Sequence, residues 1–171
     1  MRKRHLRAKI LSSLTLKGRR PLGSFYSLLR RVREEAGAEN VGEGERMQYQ
    51  EFIEQVQQRA GFASFERAEA ATQATLATLA EYLTGGEGLD LASQLPQGLA
   101  EVLRQEPPER SKIFSLNDFL QRVGEEERVG IETAEAHARA VMGVLGEAVT
   151  QGEMDDVRRQ FPSEFDPLFE R

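Results

Sequence analysis

Five carboxylates recur in a pattern that could do chemistry. Glu87 and Asp90 reappear sixty-six residues later as Glu153 and Asp156, with Asp155 added beside them. One reading makes these two pseudo-equivalent acidic sites for a cation or a basic partner, although the ligand spacing of an EF-hand is absent. In the other, acids in the first turn after a glycine-rich break simply meet the positive end of a helix dipole, a gain of about 0.3–1 kcal/mol each. The second is the simpler reading, and it predicts no cofactor and no metal.

The remaining polar inventory points away from catalysis. His137 has no His, Asp or Glu three or four residues beyond it to act as a second ligand on the same helix face, so it reads as a surface or helix-packing histidine. His5 sits among cations, which oppose metal binding. Gly85-Gly86-Glu87-Gly88 shares only its glycines with a phosphate loop, because the following Lys-Ser/Thr is missing and a helix, not a strand, precedes it. Glu125-Glu126-Glu127 reads as a solvated helix end. Hydroxyls are plentiful, but none is visibly paired with a base. The expectation is a protein that is not an enzyme.

The elements that must position these side chains are written twice. Setting residues 68–96 on 134–162 gives twelve identities in twenty-nine positions: Ala68, Glu69, Ala70, Ala74, Leu79, Glu81, Thr84, Gly86, Glu87, Asp90, Gln94 and Pro96. Chance supplies about two, so the pattern is an internal repeat. Upstream the offset becomes 67, pairing Phe52 with Phe119, Ile53 with Leu120 and Val56 with Val123.

Each unit, of roughly 60 residues, is expected to hold two longer helices and two short ones. Tyr49, Phe52, Ile53 and Val56 form one helical stripe, as do Leu116, Phe119, Leu120 and Val123. Ser115 with Asp118 predicts the start of the latter helix. The second, longer helix carries Ala68, Thr72, Thr75, Leu76, Leu79 and Leu83 in one unit and Ala134, Ala138, Val141, Met142, Leu145 and Val149 in the other. Left-handed glycine caps are expected to end it at Gly85-Gly86 and near Gly152. A short helix follows with Leu89, Leu91 and Leu95, or Met154, Val157 and Phe161, and Pro96 or Pro162 opens a last turn. Leu99, Val102 and Leu103 match Phe165, Leu168 and Phe169. No stretch alternates with a period of two, so the fold class is all-α. A unit this small buries a marginal core alone, and the two are expected to pack as one pseudo-symmetric domain.

Charge divides the chain in another way. Residues 1–46 hold 12 Lys+Arg and 5 Asp+Glu, and residues 47–171 hold 11 and 23, so +7 is joined to −12. The first 33 residues contain no acid. An arm carrying Arg2, Lys3, Arg4, Arg7, Lys9, Arg19 and Arg20 would attract nucleic acid or anionic membrane. With no cysteine there is no disulfide framework or thiol nucleophile, which suits the cytoplasm. No apolar stretch approaches the about 20 residues of a membrane span, and no signal peptide is read.

Met47-Gln48-Tyr49-Gln50-Glu51-Phe52, Ala92-Ser93-Gln94-Leu95-Pro96 after a Gly-Gly-Glu turn, 114–120 (FSLNDFL) and 134–141 (AEAHARAV) together resemble a family of conserved bacterial proteins, domain-of-unknown-function family 2267. The resemblance covers residues 47–171. It implies a duplicated helical fold and brings no catalytic or binding residues with it. The expected organisation is a basic extension (1–46), a helical repeat (47–106), a linker (107–113) and a second repeat (114–171). Residues 1–46 have no counterpart in the family, and Gly42-Glu43-Gly44-Glu45-Arg46 can be encoded by purine-rich codons, like a ribosome-binding site. One expectation is therefore a start at Met47; the other is a translated arm with helices near 6–14 and 25–35.

Three functions follow in order. The first is a helical module acting through protein partners, including its own copies, by an acidic surface or a groove between units. The second is binding of nucleic acid or anionic membrane through the arm, which requires the arm to be translated. The third is a metal or small-molecule site at the repeated acids.

Overall fold

The computed structural model describes residues 47–84, 86–105 and 115–170. The basic extension with its expected helices, and the expected linker with Pro107-Pro108, lie outside the described residues.

Among the described residues the chain is all-helical. Its elements are α1 (Tyr49–Ala60), α2 (Phe65–Tyr82), α3 (Glu87–Gln94), α4 (Gln97–Leu103), α5 (Leu116–Glu127), α6 (Ile131–Ala148), α7 (Gln151–Arg159), a 3-10 turn (Ser163–Phe165) and α8 (Asp166–Phe169). None of these helices is long and apolar enough to cross a membrane.

Local chemistry sets the helix starts. The Ser64 hydroxyl accepts from the Arg67 N–H at 3.4 Å, and the Ser115 hydroxyl accepts from the Asp118 N–H at 3.0 Å. Each satisfies an amide that has no partner within its own helix. Pro96 and Pro162 stand one residue before α4 and the 3-10 turn, as the sequence predicts. The helix ends correct an expectation. α2 and α6 do not finish on left-handed glycines; Leu83 and Val149 leave them in extended conformation. Gly86, at φ 97°, instead opens α3, and Gly152 lies inside the first turn of α7. The reason for the second is Thr150, whose hydroxyl accepts from the Glu153 N–H at 3.4 Å and so starts α7 one residue before the glycine.

The core follows the apolar stripes. Phe52, Ile53 and Val56 of α1 and Phe119, Leu120 and Val123 of α5 are buried, as are all six predicted face residues of α2 and of α6. α1 packs on α2 and α5 on α6; α4 covers α2, and α8 covers α6. The two halves, 47–105 and 115–170, then interlock: α1 lies against α6, α5 against α2, α2 against α6, and α3 against α7. Tyr82 of α2 reaches into an aromatic cluster of the other half, with ring centroids 5.7 Å from Phe119, 6.1 Å from Phe161 and 6.4 Å from Phe165. Buried aromatic rings carry large apolar area, so this contact is a principal tie between the halves. Ion pairs join them as well, Arg59 with Glu147 at 2.5 Å and Arg122 with Glu81. Leu89, expected with Leu91 and Leu95 on one short helix, parts from them: the other two are buried and Leu89 is 60% exposed.

Candidate functional site

The repeated acids meet where α3 packs on α7. Gly86 turns the chain so that Glu87 and Asp90 both fall in the first turn of α3. Across the contact, Glu153 occupies the first turn of α7. The Gln94 side chain fixes this approach, accepting from the Thr150 N–H at 2.8 Å and donating to Glu153 Oε2 at 3.2 Å. Gln160 does the converse for the other half. It accepts from the Thr84 N–H at 2.8 Å and the Thr84 hydroxyl at 3.1 Å, and donates to the Thr84 carbonyl at 3.3 Å.

This seam concentrates negative charge. Burial holds the Glu153 carboxyl above the usual carboxylate range, and the charges of Asp90 and Glu87 push it the same way. Its Oε1 atom is buried with no hydrogen-bond partner. Leu89 stands in the chain between Glu87 and Asp90 and projects into solvent, one of two large apolar side chains so exposed among the described residues; the other is Ile131, at 40%. The structure therefore brings Glu87, Asp90 and Glu153 into electrostatic reach and leaves the other two candidates aside. Asp155 accepts from Gln151 Nε2 at 2.9 Å, and Asp156 pairs with Arg159 one turn on. Among the described residues no three His, Asp or Glu side chains are grouped so as to hold a metal ion.

A second polar feature joins α5 to α6. Glu127, expected in a solvated helix end, has a side chain only 5% exposed, and its Oε2 lies 2.5 Å from His137 Nδ1. The fold reverses direction between them, so residues ten apart in the chain meet across the α5–α6 turn, a relationship that helical spacing along α6 cannot reveal. His137 packs between helices, its ring lying 4.2 Å from that of Phe62, centroid to centroid. Desolvation raises the Glu127 carboxyl, opposed by the hydrogen bond and charge of His137 and by the charge of Arg67.

Two concavities differ in kind, one narrow and one open to solvent. One cavity of about 40 Å³, lined in part by Met142, Gly143, Gly146 and Arg158, is water-sized. An open groove passes Asp155, Arg158, Arg159, Phe161, Ser163 and Asp166, where Arg158 is held by Asp166 at 2.9 Å. Arg2, Lys3, Arg4, Arg7, Lys9, Arg19, Arg20 and His5 lie outside the described residues.

No curated protein matches the chain. The sequence profile of a family described as an uncharacterized conserved protein (DUF2267) matches residues 49–168, the span that holds every described helix from α1 through the acidic seam to most of α8. The chain belongs to this DUF2267 family.

Proposed function

We propose that the protein is a non-enzymatic, cytoplasmic interaction module, a tandem duplication packed about a pseudo-twofold axis, whose partner-facing surface is the α3–α7 seam. The duplication is supported by reciprocity. α1 lies on α6 as α5 lies on α2, and both interhalf arginines pair with the repeated acids Glu81 and Glu147. The observation that carries the interaction reading is Leu89, an exposed leucine flanked by Glu87 and Asp90 with Glu153 beside them. An apolar side chain in an acidic surround suits a protein segment that offers an apolar contact between Lys or Arg side chains. Exposing Leu89 gains nothing for folding.

Co-purification from the native host tests this reading. The wild-type chain should retain one defined protein at low salt that Leu89→Ser loses and that the double variant Glu87→Lys, Asp90→Lys also loses. The same set of proteins on all three chains would refute it.

A second reading rests on the acid-free first 33 residues. If translated, this arm binds polyanions, and its affinity for duplex DNA or for anionic vesicles should fall steeply with salt. An affinity indifferent to salt, or a native protein that starts at Met47, would remove it.

A further inference from the structure

Glu127 is the last residue of α5, and the chain turns through Arg128 at φ 60° before α6 begins at Ile131. The two side chains that meet across this turn, Glu127 and His137, are 5% and 15% exposed. One carboxylate oxygen touches His137 Nδ1 at 2.5 Å; the other, Oε1, is buried with no hydrogen-bond partner. A carboxylate taken from water needs donors on both oxygens or a neighbouring positive charge. Here it has one donor. The charges acting on it are His137 from α6 and Arg67 from α2, and the turn between α1 and α2 contributes only the uncharged ring of Phe62, packed on the imidazole.

We propose that the Glu127–His137 pair is a proton-operated clasp that fastens the α5–α6 turn to Phe62. While the pair holds a proton between its two groups it is neutral overall, and its burial costs little. As rising pH removes that proton, a bare carboxylate is left buried beside a neutral ring, with one hydrogen bond and the more distant Arg67. The turn then opens more often to water. Because the proton belongs to the pair, its loss is a property of both residues together. The direction agrees with the effect of burial on Glu127: a carboxyl raised in the folded protein contributes stability at low pH that is lost as pH rises through its folded value.

Amide hydrogen exchange on the full chain, corrected for the intrinsic pH dependence of exchange, tests the clasp at Val129 and Ala134, whose N–H groups donate to the Gly124 and Gly130 carbonyls at 2.9 Å. From about pH 4.5, just above the ordinary glutamate value of about 4.3, to about pH 8.5 the opening equilibrium of these amides should increase about tenfold in the wild type. In Glu127→Gln, which keeps an acceptor for His137 without a carboxylate to be bared, it should not rise, while the exposed Glu132→Gln should follow the wild type. In His137→Gln the Glu127 carboxyl keeps its burial and loses the imidazole that opposes it, so the opening of this variant should still rise with pH. A flat wild-type profile, or a Glu127→Gln profile that rises like the wild type, would overturn the proposal.

Discussion

Gln94 and Gln160 stand sixty-six residues apart in the chain, and each secures a turn of the opposite half. Gln94 accepts from the Thr150 N–H at 2.8 Å, and Gln160 accepts from the Thr84 N–H at 2.8 Å. Both bonds join residues that the internal repeat keeps identical, so the identities serve the contact between halves. Replacing either glutamine by alanine leaves a turn amide without its side-chain acceptor, at a cost of about 1 kcal/mol. Urea unfolding of Gln94→Ala and Gln160→Ala should give similar losses.

Tyr82 should matter more. It is 2% exposed, and its ring packs on three phenylalanines of the other half. Tyr82→Ala removes most of that contact and should lower stability by about 3–5 kcal/mol, in the range for large aromatic truncations. Chemical denaturation followed by far-UV circular dichroism measures it.

Arg128 offers the opposite outcome. Both α1 and α5 end on a left-handed residue, Gly61 at φ 68° in the first and Arg128 at φ 60° in the second. A side chain makes that conformation costly, by about 1–2 kcal/mol, whereas glycine adopts it freely. Arg128→Gly should therefore raise stability by about 1 kcal/mol, once the greater freedom of glycine in the unfolded chain is subtracted. A variant less stable than the wild type would mean that the arginine side chain supports the turn.

Glu153 predicts a pH dependence of defined sign. Its folded carboxyl lies above the usual range through burial and the nearby charges of Asp90 and Glu87, so ionisation is disfavoured in the folded protein. The contribution of this position to stability is complete below the ordinary glutamate value of about 4.3 and is lost as pH rises through the folded value. Glu153→Gln keeps an acceptor for Gln94 and should be more stable than the wild type at pH 7, the two converging in acid. Thermal unfolding of both chains across that range checks the sign.

Much of this architecture is legible in the residues. Phe52, Ile53 and Val56, like Phe119, Leu120 and Val123, announce a buried face because helical periodicity and burial are the same constraint seen twice. Ser115 with Asp118 marks a helix start because capping acts within a single turn. The misplaced features depend on contacts across the fold. Leu89 looks like a core leucine beside Leu91 and Leu95 until α3 is oriented by its packing on α7. Glu127 looks solvated until the turn at Arg128 folds it back on His137. Gln94 and Gln160 could be found as identities of the repeat, but identity names no partner.

If a protein partner rests on Leu89 as proposed, a photo-reactive amino acid at that position captures it in the native host. A single cross-linked species is expected, whose attachment point, mapped by mass spectrometry, falls in a segment rich in Lys or Arg around an apolar residue. Glu87→Lys with Asp90→Lys in the same chain should abolish it. A species that survives this charge reversal, or a probe at position 89 that links to nothing while one at position 131 does, would mean that no such partner rests on Leu89.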